Sequence, residues 1–378
     1  MNIYLDNNAT TRLDPRVKAA MMPLMETVYG NPSSIHAHGQ QVRHAVDTAR
    51  GRVASLINAE PEEIIFTSGG TESCNTAILG HCRVKGDRAR ILASRVEHPA
   101  VLRCVEYLAS SGGAAVDWVD VTPDGVIDPD DLTRKMASGP TLVSVMTANN
   151  DVGALMPVSD VAAMAHAAGA VCHTDAVQAV GKIPVDVKRS DVDMLSCSAH
   201  KLHGPPGVGA LYVKRGTRIL PTLFGGHQEY RRRPGTENVA GIVGFGVACE
   251  LAAAEMATRM AHVMSLKTRL ENGLGQIDGI EIYGRHAPRL SGTCYVGVSG
   301  VEGETLQMAL DLRGFSVSMG SACSSESRDP SHVLTAMGVS ARDAVRAVRF
   351  SLGPENTEEE IDCVLGTLRK IIPTLRRG

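Results

Sequence analysis

The chain lacks a surplus of positive charge and lacks the cysteine spacing of a zinc site. Its 378 residues carry a formal net charge of −3, so there is no basic excess to neutralise the phosphates of a nucleic acid. The nine cysteines include no Cys-x-x-Cys pair, and most stand in apolar runs. We therefore expect no nucleic acid as a main partner, no metal site and no disulfide framework.

Targeting segments and long apolar runs are also missing from the sequence. The N-terminal residues Met1 to Asp6 show no basic region followed by an apolar stretch. No window approaches 18 uncharged apolar residues, the length that a membrane-spanning helix needs. From these absences we expect a cytoplasmic protein without a membrane partner. There is no internal repeat and no low-complexity linker, so the domains are expected to pack tightly.

Short β-rich runs alternate with segments of helical period, the pattern of an α/β protein with a mainly parallel sheet. Residues Val42 to Leu56 place their apolar side chains on one helical face. The predicted strands of the sheet are 64–67, 91–93, 116–119, 142–146, 170–173, 194–196 and 209–213.

The pattern changes after about residue 257. A long polar helix near 260–276 leads into short strands and a closing helix from about Thr357. We predict a large domain over residues 15–257, and a smaller α+β domain formed by residues 1–14 and 258–378.

Lys201 and Asp175 match the two groups that a pyridoxal phosphate site requires. Lys201 stands in Ser198-Ala199-His200-Lys201, and its amine can hold the cofactor aldehyde as a Schiff base. Asp175 follows a predicted strand, and its carboxylate can keep the pyridine nitrogen protonated. An isolated Ser-x-His-Lys is also compatible with a solvated loop lysine, so the assignment depends on the rest of the chain.

A glycine turn after the first predicted strand of the sheet is a candidate phosphate site. Strand 64–67 runs into Ser68-Gly69-Gly70-Thr71-Glu72 and then a helical segment. Free backbone N–H groups at a helix N-terminus favour an anion, and Gly70 permits close approach while Thr71 adds a hydroxyl. Ser198 and His200 can complete the phosphate shell. An ordinary strand-to-helix turn is the alternative.

Three side chains near other strand ends could surround the cofactor ring. His98 could stack on the pyridine face and later transfer protons. The amides of Asn150 and Gln178 could donate to the ring hydroxyl oxygen or to a substrate. Each is a weak signal alone, but strand ends that face one crevice are where α/β folds bind ligands.

Two residues in the second half of the chain also indicate chemistry. Cys323 lies in the small, polar stretch Met319 to Ser325, which favours an exposed and mobile thiol, although such loop cysteines also occur without function. Arg349 lies in a strand-like run, where a buried guanidinium needs a carboxylate partner. Arg349 is therefore a candidate for binding an amino-acid carboxylate, with a structural ion pair as the alternative.

Taken together, these segments resemble the NifS/IscS-type cysteine desulfurases of the class V aminotransferase superfamily. The resemblance covers nearly the whole chain and implies the fold of the aspartate aminotransferase-like, pyridoxal phosphate-dependent transferases. The matching segments are 4–11, 30–34, 66–72, 97–98, 149–150, 175–178, 198–201, 235–238, 320–324 and 349–353.

The resemblance implies a role for each matching residue. It makes Lys201 the cofactor-binding lysine and Asp175 the pyridinium partner, with His98 stacked on the ring. Asn150 and Gln178 become the ring-side donors. Thr71, Ser198 and His200 would bind the phosphate, and Arg349 with Asn31 would bind the substrate carboxylate. Thr236 would reach the phosphate of the other subunit of a homodimer, and Cys323 would form the persulfide.

The activity implied by the resemblance is conversion of L-cysteine to L-alanine, with sulfur held as a persulfide on Cys323. An acceptor protein such as an iron–sulfur scaffold would then take the sulfur. A selenocysteine lyase, another lyase or transaminase of the same fold, and a non-catalytic binding subunit are the alternatives. Cys74, Asp151 and Pro206 depart from the usual family pattern, which has Asp, Glu and Lys there, and none of the three departures removes a catalytic group.

Overall fold

The structure is a computed structural model that describes residues 2–320 and 330–377. Its helices are α1 (Pro15–Glu26), α2 (Ala37–Leu56), α3 (Gly70–Lys85), α4 (Pro99–Ser110), α5 (Pro129–Met136), α6 (Val158–Ala167), α7 (Val187–Ser190), α8 (Val239–Leu274), α9 (Gly303–Asp311), α10 (His332–Ala336), α11 (Ala341–Ala344) and α12 (Glu358–Leu375). Its strands are β1 (Ile3–Tyr4), β2 (Ile64–Thr67), β3 (Arg90–Ser94), β4 (Ala115–Val119), β5 (Leu142–Ser144), β6 (Val171–Asp175), β7 (Met194–Ser198), β8 (Gly209–Val213), β9 (Ile280–Ile282), β10 (Thr293–Val298), β11 (Phe315–Ser316) and β12 (Ala347–Ser351).

A seven-stranded sheet of order β2-β8-β7-β6-β5-β3-β4 forms the larger part of the molecule. Strand β8 is antiparallel to both its neighbours, and the other adjacent pairs are parallel. Helices cover the faces of this sheet, so its central strands are apolar and buried, as expected for a parallel sheet. The predicted α/β class with a mainly parallel sheet is confirmed.

The predicted strand over 142–146 is shorter in the structure and ends at Ser144. The backbone N–H of Met146 donates to the Glu97 carboxylate at 2.7 Å instead of to a neighbouring strand. A buried side chain therefore takes the place of a ladder hydrogen bond on the β3 side, while Val145 and Thr147 still donate to carbonyls of β6.

A second apolar core lies around the small antiparallel sheet β12-β10-β9. The N-terminal segment belongs to this core, because Ile3 pairs with Phe315 in a parallel β1-β11 bridge and Leu5 is buried among its side chains. The predicted division into 15–257 and 1–14 with 258–378 stays a prediction. The core around the large sheet also includes Tyr283, Tyr295 and Val333 from the predicted smaller domain.

Helix α8 is a single helix of 36 residues that contributes to both cores, so the predicted boundary at residue 257 falls inside it. Its first half packs closely on α2, where a Cβ on Gly246 would lie 2.7 Å from the Ala49 Cα. By length and composition α8 could cross a membrane, with a mean hydropathy of 1.6 over an 18-residue window that is 44% buried in the structure. A core helix meets the same criterion, so this one helix is weak evidence for a span.

Candidate active site

The carboxyl ends of the parallel strands surround a cavity of about 220 Å³. Its lining residues come from six separate parts of the chain, from the N-terminal segment to the turn after β7. Nine of the residues predicted from sequence line it: Gly70, Thr71, His98, Asn150, Asp175, Gln178, Ser198, His200 and Lys201.

Asp175 is the last residue of β6 and is almost fully buried. Its Oδ1 accepts the backbone N–H of Val177 at 2.9 Å, and its Oδ2 lies 3.6 Å from the Cys74 thiol. These two contacts orient the carboxylate at the inner end of the cavity. A buried carboxylate there can hold a proton on a ring nitrogen.

Lys201 ends a short 3₁₀ turn directly after β7. Its Nζ donates to the carbonyl oxygens of Asn8 at 2.5 Å and Ala9 at 2.6 Å. The N-terminal segment, nearly 200 residues away in sequence, therefore holds the amine at the cavity. These two carbonyl acceptors fix the position of the amine at the cavity.

The N-terminus of α3 forms the opposite wall of the cavity. Gly69 has a φ of +153°, and a Cβ on Gly70 would lie 2.7 Å from the Val177 Cγ2, so glycine is required for the close approach of this turn. The first N–H groups of a helix lack intrahelical partners and attract anions. Ser198 and His200 line the same end, which can therefore hold a phosphate dianion.

Burial and the nearby charges of Lys201 and Lys182 lower the pKa of His200 to about 4. Its ring is therefore neutral at pH 7, and Nδ1 lies 3.1 Å from the Thr10 hydroxyl. A neutral imidazole can donate one hydrogen bond to a phosphate without adding a buried charge.

His98 caps the N-terminus of α4, and its Nδ1 accepts the backbone N–H of Ala100 at 3.1 Å. Burial lowers the pKa of His98, so the ring is neutral and its proton is on Nε2. The preceding residue, Glu97, is fully buried, and burial raises its pKa to about 8. The helix cap thus fixes both the tautomer and the ring position at the cavity.

The two ring-side amides lie in different hydrogen-bond settings. Gln178 donates from Nε2 to the Asn8 carbonyl at 2.9 Å and accepts from Lys182 Nζ at 2.7 Å. Asn150 donates to Asp151 at 2.7 Å, and its buried Oδ1 has no partner within residues 2–320 and 330–377. A hydroxyl-bearing ligand in the cavity could satisfy that oxygen.

Arg349 on β12 lies behind Asn150 and is 2% exposed. Its Nη2 contacts Asp6 Oδ1 at 2.9 Å, and its Nη1 contacts the Asn150 carbonyl at 3.0 Å and Asp151 Oδ1 at 3.3 Å. The guanidinium does have carboxylate partners, as its burial requires, and it adjoins the cavity wall without lining it.

Asn31 and Thr236 do not line the cavity of the single chain. Asn31 lies in the loop after α1 and accepts the Ser33 N–H at 2.9 Å. The predicted nucleophile Cys323 lies outside the described residues. Their predicted roles stay predictions.

Sequence reasoning missed the supporting residues Asn8 and Lys182. Asn8 lies in the motif segment 4–11, but its backbone carbonyl accepts from Lys201 and Gln178, and no side-chain pattern signals that. Lys182 lies only four positions after Gln178, in a segment of turns that brings the two side chains together. Burial and the charges of Lys201 and Arg349 lower the pKa of Lys182 to about 7.

Comparison with known proteins shows which family has this geometry. The aminotransferase class-V family model matches residues 3–364. The chain belongs to this family. It is 47% identical over 376 residues to a cysteine desulfurase of Gluconacetobacter diazotrophicus, covering 99% of this chain and 94% of that one. It is 47% identical over 378 residues to a cysteine desulfurase of Sinorhizobium fredii, covering 100% of this chain and 98% of that one.

A solved NifS-like structure superposes with a TM-score of 0.93 at 38% identity and covers 99% of this chain and 100% of its own. The resemblance inferred from the motifs is confirmed. The family's cofactor is pyridoxal 5′-phosphate, and the cavity fits it. The anion-binding turn, the buried carboxylate of Asp175 and the Asn150 Oδ1, which has no partner among the described residues, could each bind one part of that molecule.

Proposed function

We propose that this chain is a pyridoxal phosphate-dependent cysteine desulfurase that converts L-cysteine to L-alanine and transfers the sulfur to Cys323. The observation that carries the proposal is that Lys201, Asp175 and His98, from three separate strand ends, line one cavity. They do so in a chain that matches cysteine desulfurases along its whole length.

Pyridoxal phosphate, when bound, supplies an electron sink that stabilises negative charge at the substrate α-carbon. With the cofactor bound, Asp175 would keep the pyridine nitrogen protonated, and the α3 N-terminus with Thr71, Ser198 and His200 would hold the phosphate. The Lys201 amine takes the α-proton, since its Nζ already lies at the cavity. His98, with its proton on Nε2, could exchange a proton with a molecule bound in the cavity.

Arg349 is the proposed partner of the substrate carboxylate, together with Asn31. The Cys323 thiolate then attacks the substrate sulfur. The carbon–sulfur bond breaks, a sulfur–sulfur bond forms on Cys323, and the carbon fragment takes up protons to become alanine. One L-cysteine and one thiol thus give one alanine and one persulfide, so the step needs no external oxidant.

The cellular setting is a further part of the proposal. A protein acceptor, such as an iron–sulfur scaffold, would take the persulfide sulfur in the cytoplasm. A homodimer would bring Thr236 of each subunit to the other's phosphate site. The segment before Thr236 exposes apolar side chains in this single chain, including Phe224 at 84% and Tyr230 at 50%. This exposure supports a partner surface there.

The test is to measure alanine and sulfide formed from L-cysteine by the cofactor-loaded protein with a thiol reductant present. Equal amounts of both are expected, with neither formed by Cys323→Ala. Cys363→Ala is the matched control, because Cys363 is an exposed thiol on α12, and it should leave both products unchanged. Alanine or pyruvate persisting in Cys323→Ala would favour another lyase or a transaminase. Preference for L-selenocysteine in competition would favour a selenocysteine lyase.

A further inference from the structure

A line of buried polar side chains lies behind Asp175, on the side away from the cavity. The Cys74 Sγ on α3 is 3.6 Å from Asp175 Oδ2 and is hydrogen-bonded to Ser196. The Ser196 Oγ is 3.0 Å from His173 Nε2, and His173 Nδ1 is 2.9 Å from the Ser144 Oγ. Cys74, Ser144, His173 and Ser196 are all 0% exposed. The proposed reaction uses none of the four.

The first link of this line has only one possible direction. An ionised carboxylate is purely an acceptor, so the Cys74 S–H must be the donor to Asp175. Burial, with the charge of Asp175, raises the pKa of Cys74 well above its usual value, so the thiol keeps its proton. Because that proton points to Asp175, the Cys74 sulfur can only accept from the Ser196 hydroxyl.

The remaining links follow in the same direction. Burial lowers the pKa of His173 to about 3, so the ring is neutral and has a single N–H. Ser196 has used its proton on Cys74, so its oxygen accepts from His173 Nε2. The His173 Nδ1 then accepts from Ser144. Each group donates once, and in such a chain every bond polarises the next towards the final acceptor.

We propose that Cys74 is a positioning residue, whose thiol, oriented by Ser196 and His173, donates to Asp175 and keeps that carboxylate ionised and aligned with the pyridine nitrogen. The inference rests on the proposed role of Asp175. A thiol suits this place because it donates a hydrogen bond to the carboxylate without adding a second charge to the buried site.

The test compares Cys74→Ser with Cys74→Ala in the holoenzyme. The two new side chains are nearly the same size, and only serine keeps a donor. We measure the affinity for pyridoxal phosphate and the pH at which its visible absorption changes. Cys74→Ala should weaken the affinity by about 3- to 10-fold and move the absorption midpoint, because a hydrogen bond to a charged group is lost. Cys74→Ser should stay close to the parent protein in both measurements.

Cys249 provides the matched control, because it is a buried thiol on α8 in the large apolar core. Neither Cys249→Ser nor Cys249→Ala should change the cofactor measurements, and serine should be the less stable of the two there. If Cys74→Ala fails to fold, Ser196→Ala, which removes only a hydroxyl, should move the midpoint in the same direction.

Indistinguishable cofactor affinity and absorption midpoints for Cys74→Ser and Cys74→Ala would overturn the inference. Asp175→Asn separates that outcome from failure of the proposed role of Asp175. If Asp175→Asn changes both measurements while the Cys74 pair does not differ, only the role of Cys74 is wrong. If Asp175→Asn leaves both unchanged, the role of Asp175 is wrong as well, and the positioning role of Cys74 is overturned with it.

Discussion

Arg50 and Arg349 are both buried and both contact carboxylates, but their geometries differ. Arg50 forms a two-pronged pair with Glu229, Nη2 to Oε1 at 2.6 Å and Nη1 to Oε2 at 2.8 Å. Its guanidinium also stacks 4.7 Å from the Phe66 ring centre. Arg349 is shared between Asp6 at 2.9 Å and Asp151 at 3.3 Å, with each carboxylate contacting a different Nη.

The difference indicates which arginine is structural and which can bind a ligand. Glu229 binds both Nη atoms of Arg50, and its Oε2 also accepts the Phe66 N–H at 2.7 Å, so the carboxylate is fully engaged within the protein. The carboxylates around Arg349 come from separate segments, and the side chain of Asp6 is 18% exposed. A substrate carboxylate could replace Asp6 at Arg349, whereas no ligand could reach Arg50.

The largest effect is expected for Glu229→Gln, which leaves Arg50 buried without its counter-charge. Such a change costs about 3–5 kcal/mol of unfolding free energy. Glu229 also begins a turn of three non-glycine residues with φ of 45°, 56° and 64°, which the pair holds in place. Denaturant unfolding measures the loss. Glu250→Gln is the control, since the Arg52 pair is on the surface and should change stability by less than about 1 kcal/mol.

Arg349→Lys is expected to act on substrate binding. Lysine keeps the charge but loses the planar fork, so KM for L-cysteine should rise roughly 30- to 100-fold, about 2–3 kcal/mol. The affinity for pyridoxal phosphate should change little, because Arg349 does not line the cofactor cavity. Steady-state kinetics and a cofactor titration make the comparison. An unchanged KM would show that Arg349 is structural, like Arg50.

Glu97 extends the comparison to a buried carboxylate that contacts Ser94 and a backbone N–H rather than an arginine. Burial raises its pKa from 4.5 to about 8, so between these pH values the folded state holds a proton that the unfolded chain has released. The stabilisation that protonated Glu97 gives the folded state is therefore complete below pH 4.5, the pKa in the unfolded chain. It is lost as pH rises through about 8, the pKa in the folded state. Relative to Glu97→Gln, the parent should lose roughly 1–2 kcal/mol between pH 6 and 7.5. Parallel pH profiles of the unfolding free energy for the parent and for Glu97→Gln would contradict this prediction.

The smallest effect is expected for Asp6→Asn. Removing one of the two carboxylates that compete for Arg349 should lower KM for L-cysteine by about 2- to 3-fold, an effect kept small because buried Asp151 still offsets the guanidinium charge. Stability should change little. Asp151→Asn is the matched comparison, because Asp151 is fully buried and also accepts from Ser331 at 3.0 Å. Asp151→Asn should lower the free energy of unfolding. Equal effects of the two variants on KM and on stability would contradict the proposal that Asp6 is the replaceable partner of Arg349 and Asp151 the structural one.

Much of the fold and of the candidate site could be predicted from residues that lie close together in sequence. The strands of the large sheet were predicted within about two residues of each end, because buried parallel strands are continuous apolar runs. Lys201, Asp175 and the turn at Gly70 were found because each carries its chemistry in a short local motif beside a strand end. Helix α8 was predicted only over its second half, near 260–276, since its apolar face changes from one core to the other part-way along.

Tertiary structure alone decided the contacts that support the site. The Asn8 carbonyl under Lys201, the Cys74 thiol at Asp175 and the two carboxylates at Arg349 all join segments more than 100 residues apart. A backbone carbonyl has no sequence signature, and a cysteine in an apolar run has the same pattern whether or not it contacts a carboxylate. The order of the strands brings these groups together, and that order depends on packing across the whole chain.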